Sequence, residues 1–161
     1  MAHILQNQVL INGIDLWTRF GVFLTEEKKG GRENLTAIMT PSKVKDYVGV
    51  DFREQNGKKY SDALKVRNAE RDVTLHFAQY ADTKSAWLAN YMAFINFLKN
   101  GYDSSGEPTN GWLSVHFPGL NLTLRMFYVE SSAYRPLTYL WQEGVQASSY
   151  RVRFREPVPI I

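Results

Sequence analysis

Three histidines, His3, His76 and His116, are the only imidazoles in the chain, and there is no cysteine. No two histidines stand at i, i+2 or i, i+4, and no thiolate can complete a ligand set, so no metal centre is expected. The missing thiols also remove disulfides, iron–sulfur clusters and cysteine nucleophiles from consideration. His76 and His116 each fall opposite the apolar residues of an alternating segment, and they could approach only if those segments were neighbours. Phosphate cradles fail on spacing. Gly57-Lys58-Lys59 has Phe52 where a Walker loop needs its first glycine, and no Ser or Thr follows. Neither G-x-G-x-x-G nor G-x-S-x-G occurs. Glu26 and Glu27 are paired carboxylates, but Lys28 and Lys29 follow them in a polar stretch, and nothing there would raise a carboxylate pKa. No catalytic residue and no cofactor is expected.

Arg151, Arg153 and Arg155 form a stripe, with Tyr150, Val152 and Phe154 on the other face of the same segment. Stacking on nucleic-acid bases needs aromatic residues among the cations, and here they point away. Three like charges in a row call for acidic partners, and a neighbouring subunit is the expected source. Two aromatic groups, Trp112 with Tyr102, and Tyr134 with Tyr139 and Trp141, would suit a sugar. Asn34-Leu35-Thr36 and Asn121-Leu122-Thr123 fit a glycosylation pattern, read as chance because no secretion signal is visible at the N-terminus.

These side chains need a scaffold, and the pattern of the chain describes one. At 161 residues and 18.5 kDa the length suits a single domain. A compact chain of this mass would expose about 8,200 Å². With 44% hydrophobic residues the chain can fill a core, which excludes disorder. The net charge of +3 comes from interleaved signs, most densely between Glu26 and Asp72, which is a solvated surface rather than a nucleic-acid footprint. The longest uncharged apolar-rich stretch, Ser85 to Leu98, is too short to span a bilayer, so no membrane partner is expected.

Most segments read as strand. Leu5–Ile11 leads into an Asn12-Gly13 turn, and a second apolar run covers Ile14–Leu24. Leu35–Met39, Asp46–Phe52 and Lys58–Ser61 are short strand candidates. Val73, Leu75 and Phe77 alternate cleanly. Then the period changes: Trp87, Leu88, Tyr91, Phe94, Ile95 and Leu98 make one stripe of an α-helix over about 84–100, capped by Asp82 or Thr83 and ended by Asn100-Gly101. Trp112–Phe117 and Leu120–Glu130 flank a Pro118-Gly119 turn, and Val145–Glu156 is the last strand. The prediction is a mainly β domain over 1–161, a β-sandwich or barrel with one α-helix packed on the sheet and an extended tail at about 156–161.

The order of these features resembles the N-terminal, ring-forming domain of phage distal tail proteins, and more loosely the tail-tube fold. The resemblance rests on Ile11-Asn12-Gly13-Ile14-Asp15, Phe20-Gly21-Val22, the Asn56-Gly57 turn, Arg71-Asp72-Val73-Thr74-Leu75-His76-Phe77, the helix and the strand pair after it. It implies a structural, non-enzymatic protein of a phage or prophage tail. It implies a homo-oligomer, a hexameric ring, that meets other tail and baseplate proteins. DNA would pass through the lumen only as cargo, and the site of action would be the virion tail, assembled in the bacterial host cytoplasm. Many such proteins carry a second, galectin-like domain; the 161 residues leave no room for one, so it is not expected and no sugar-binding role is carried over from it.

Loops and tail supply the expected subunit contacts: Glu26, Lys28, Lys29 and Arg32 in the first polar loop, and Asp103 and Glu107 in the second. The arginines Arg151, Arg153 and Arg155 and the apolar tail residues Val158, Ile160 and Ile161 complete the set. The alternative is a monomeric β-sandwich binding module, for carbohydrate.

Overall fold

The structure is a computed structural model that describes residues 4–138 and 144–161. Its strands are β1 (Leu10–Ile11), β2 (Ile14–Asp15), β3 (Val22–Leu24), β4 (Gly49–Asp51), β5 (Lys58–Tyr60), β6 (Arg71–Ala81), β7 (Trp112–Phe117), β8 (Leu122–Pro136) and β9 (Gln146–Glu156). Its helices are α1 (Leu16–Phe20), α2 (Glu33–Met39) and α3 (Lys84–Asn100). Seven strands form an antiparallel sheet in the order β2-β1-β7-β8-β9-β6-β3, and β4 and β5 make a separate hairpin. The chain is mainly β, as its alternation predicts.

The long strand β8 organises the sheet. Its residues 122–127 pair with β7, and its residues 127–136 pair with β9. Bulge-like register shifts fall between Tyr128 and Glu130 and again between Ser132 and Arg135. A strand that changes partner through bulges turns a corner, as in sandwich folds. The two halves share one core. Leu113, Val115, Leu124 and Met126 come from one side, and Val73, Leu75, Phe77, Val152 and Phe154 from the other.

Helix α3 closes that core. Thr83 caps it by accepting from the Ala86 N–H at 3.2 Å. Its inner face carries Trp87, Phe94, Phe97 and Leu98, with Phe94 against Phe20 and Phe77. Leu88, expected inside, is half exposed, and Phe97 takes the buried place. A helix that also leans on α1 is rotated relative to one lying on a flat sheet alone.

Two further helices correct the one-helix expectation. In the run Ile14–Leu24, Leu16 and Phe20 are buried four residues apart, a helical spacing, and Gly21 ends the turn at φ +70°. Leu35–Met39 is not a strand but the body of α2. Its Asn34 side chain receives the His76 N–H at 2.6 Å and donates to the His76 carbonyl at 3.1 Å, so it caps the open edge of β6. The first strand is also shorter than predicted, because residues 4–7 are turn.

The predicted turns hold. Asn12 and Gly13, both at positive φ, connect β1 to β2 with Ile11 opposite Ile14. Leu122 faces Phe117 across the Pro118-Gly119 turn.

Candidate functional site

β6 and β9 run side by side in full register, which sets Asp72 opposite Arg155, Thr74 opposite Arg153 and His76 opposite Arg151. Side chains on this outer face therefore meet across the ladder. Arg155 Nε donates to Asp72 Oδ1 at 2.9 Å, and Glu70 stands 3.9 Å away. Arg153 lies between Glu130, at 3.4 Å, and Asp72, at 3.7 Å. Arg151 pairs with Glu27. Each arginine of the stripe thus has an acidic partner within its own chain. The hydrogen bond from Arg155 holds the Asp72 carboxyl below its ordinary 3.8.

Glu27 also lies 3.2 Å from His76 Nε2, so it fastens the first polar loop to the sheet. A cavity of about 350 Å³ opens there, lined by Thr25, Lys28, Arg135 and Ser149 beside these three groups. Burial holds the His76 imidazole below its ordinary 6.5, opposed by the charge of Glu33. His116 is elsewhere. Its strand β7 is separated from β6 by β8 and β9, and its Nδ1 meets the Thr123 hydroxyl at 2.7 Å. The two rings are not a pair. His3, Tyr139 and Trp141 lie outside the described residues. Among the described residues no three His, Asp or Glu gather as a metal site, and no helix is long and apolar enough to cross a membrane.

The loop residues have local duties. Glu26 accepts the Gly30 N–H at 2.9 Å. Lys28, Lys29 and Arg32 are exposed. Asp103 Oδ1 accepts from the backbone of Ser105 and Glu107, at 2.9 and 3.0 Å, which shapes the second loop, and Glu107 is exposed. The aromatic groups proposed for sugar are already engaged. The Arg125 guanidinium covers the Trp112 ring at 3.7 Å, Tyr102 packs on Phe97, and Tyr134 packs on Trp87 and Tyr91.

The tail turns back on the body. The Ile160 N–H donates to Glu156 Oε1 at 3.1 Å, and the Ser42 N–H donates to the Ile161 carbonyl at 3.1 Å. Val158, Ile160 and Ile161 remain exposed. Beside the tail, residues 41–70 form an excursion that the sequence pattern presents only as separate short strands. The usable signal is the alternation Val48, Val50, Phe52 in a segment with no apolar partner segment nearby.

No family model matches the sequence, and no curated protein does. Among solved structures the fold is similar to the crystal structure of the Dit protein (gp 19.1) of phage SPP1, described as a paradigm of the hub adsorption apparatus in phages that infect Gram-positive bacteria. The TM-score is 0.54 at 10% identity, over 93% of this chain and 50% of that one. The chain therefore spans half the length of that relative in fold.

Proposed function

We propose that this chain is a structural component of a bacteriophage or prophage-derived tail, a short distal tail protein whose copies close into a hexameric ring between tail tube and baseplate. The observation that carries the reading is the fold likeness to a phage hub protein across nearly the whole of this chain. The order of turns, strands and helix in the sequence points the same way. The protein turns over no substrate; its outer-face charges are spent on holding its own strands and loop together. Its contacts are with further copies and with other tail or baseplate proteins in the virion, and DNA crosses the lumen as cargo.

Head-to-tail contacts close into a ring when the rotation between copies fits. Native mass spectrometry with negative-stain images tests this directly. Closed rings of about six copies are expected. A clean monomer at high concentration, with no annular particles, would overturn the reading.

A further inference from the structure

Residues 41–70 leave the body as a two-stranded ribbon and return. At its stem the Lys45 N–H donates to the Arg67 carbonyl at 2.8 Å, and the Ala69 N–H to the Lys43 carbonyl at 2.7 Å, with Val44 opposite Asn68. Farther out β4 and β5 pair, and every residue from 51 to 68 is exposed. The root is fastened. The Arg71 guanidinium donates to the carbonyls of Ile38 and Thr40 while its Nε pairs with Glu156, so both ends of the excursion close on one buried ion pair. An extension rooted in this way has a set direction.

Its composition is not that of a solvated loop. Val48 is 89% exposed, and Val50, Phe52, Tyr60, Leu64 and Val66 are each about half exposed. A lone two-stranded hairpin is marginal in water and needs a third strand or a helix against it. Among the described residues its own chain offers neither. The total accessible surface is 10560 Å². That is about 2,300 Å² more than a compact chain of this mass exposes. A subunit that hides about 800 Å² in each of two standard interfaces loses surface of the same order.

A complementary surface lies on the body. Beyond Phe127, which faces Trp112, β8 has β9 on one side and, among the described residues, no strand on the other. Its stretch Val129–Pro136 is a sheet edge interrupted by two register shifts, with Tyr134 and Leu137 exposed beside it. This open edge lies along the start of β9, whereas the ribbon is rooted at the end of β9, beside Glu156. The paired part of that edge lies opposite Ser148 to Arg153, three to eight residues from Glu156, or about 10–27 Å at 3.3–3.4 Å per residue. Two different surfaces of one subunit that complement each other meet head to tail, the kind of contact that propagates into a ring.

We infer that the ribbon 41–70 is an arm that docks on a second copy of this chain, its hairpin lying along the open edge of β8 in the neighbour. The inference rests on the ring reading and names the surfaces that make the ring. The experiment uses the full chain in two forms. In the first, Val50→Glu with Phe52→Glu is compared with the unsubstituted chain by light scattering and circular dichroism. The expected result is an unchanged spectrum with at least a tenfold weaker association. In the second, Lys59→Cys and Ala133→Cys are placed together in this cysteine-free chain and oxidised, and ladders of cross-linked copies are expected. If the unsubstituted chain assembles and the glutamate variant assembles equally well, the arm assignment is overturned while the ring stands. If the unsubstituted chain stays monomeric, both fall. If the glutamate variant does not fold, the cross-link decides: ladders uphold the arm, and only monomers or intramolecular bridges overturn it.

Discussion

Arg71 and Glu156 form an ion pair with Nε and Oε2 2.7 Å apart and with side chains only 6% and 1% exposed. They sit directly opposite each other at the ends of β6 and β9. Every oxygen of the carboxylate has a task, since Oε1 receives the Ile160 N–H. The guanidinium also ends α2 by taking its last carbonyls. One pair therefore joins two strands, a helix end, the tail and the root of the ribbon. Removing one partner strands the other charge in the core, which typically costs about 3–5 kcal/mol. Arg71→Met should lower the unfolding free energy by that order and move the urea midpoint down in proportion. Arg71→Met with Glu156→Gln should be less destabilised than the single variant, because the orphan charge is gone. Urea titration of both variants checks this, and equal losses would refute the charge argument.

A second prediction concerns acid. Hydrogen bonding to Arg155 depresses the Asp72 carboxyl in the folded state. A depressed carboxyl adds stability above its unfolded value, 3.8, and that stability is lost as pH falls through the lower folded value. The group is largely exposed, so the gain is modest, on the order of 0.2–1 kcal/mol. Asp72→Asn should lower the thermal midpoint slightly at about pH 7, and the difference should vanish at about pH 2. A difference that persists in acid would point to packing rather than charge.

His76 acts with the opposite sign from a salt-bridged histidine. Burial lowers its folded pKa, so the unfolded chain takes up the proton first as pH falls through 6.5. Stability should therefore decline between about pH 7.5 and 5.5, and His76→Gln should flatten that slope. Thermal midpoints across the interval test it. A slope equal in both proteins would show that Glu27 and Glu33 offset the burial.

Gly21 is a backbone requirement. It lies at φ +70°, and a Cβ there would stand 2.4 Å from the Tyr80 carbonyl oxygen, in a place where the Tyr80 N–H also donates to the Gly21 carbonyl at 3.0 Å. Neither chain can yield without parting β3 from β6. Gly21→Ala should cost about 2 kcal/mol or more. Gly57 has a similar φ, +71°, but nothing lies within 4 Å of a Cβ there. Gly57→Ala should cost only the conformational strain, about 1 kcal/mol. Denaturation midpoints of the pair separate collision from strain.

The contrast between these positions shows what a sequence carries. Helix α3 and strands β6, β7 and β9 are legible because their periodicity is local and their burial follows it. Helix α2 is not legible, because it buries little beyond Ile38 and is held by Asn34 reaching His76, a contact 42 residues away. The arginine stripe is visible, but its partners are not. Asp72 meets Arg155 only through the β6–β9 register, and Glu27 meets Arg151 only once the loop folds over the sheet. The two histidines share a pattern but not a neighbourhood, since strand order is not a local property. The ribbon escapes because alternation predicts strands without saying that they leave the body.

The tail joins these threads. Residues 157–161 lie against the root of the ribbon, through Ser42 and Ile161 on one side and Ile160 and Glu156 on the other. Removing the tail takes the Ile160 donor from the buried Glu156 carboxylate, and losing such a bond costs about 1–3 kcal/mol. The apolar core is little changed, because the tail contributes only Pro159 to the buried residues. Deleting Pro157–Ile161 should therefore leave the circular dichroism spectrum unchanged and lower the thermal midpoint by a few degrees. Exposed Val158, Ile160 and Ile161 sit beside the arm that is inferred to reach the next copy. If they share its contact, the truncated chain should also associate more weakly, by light scattering at matched concentrations. Unchanged association with the small loss of stability would confine the tail to a local role and leave the arm alone as the joint.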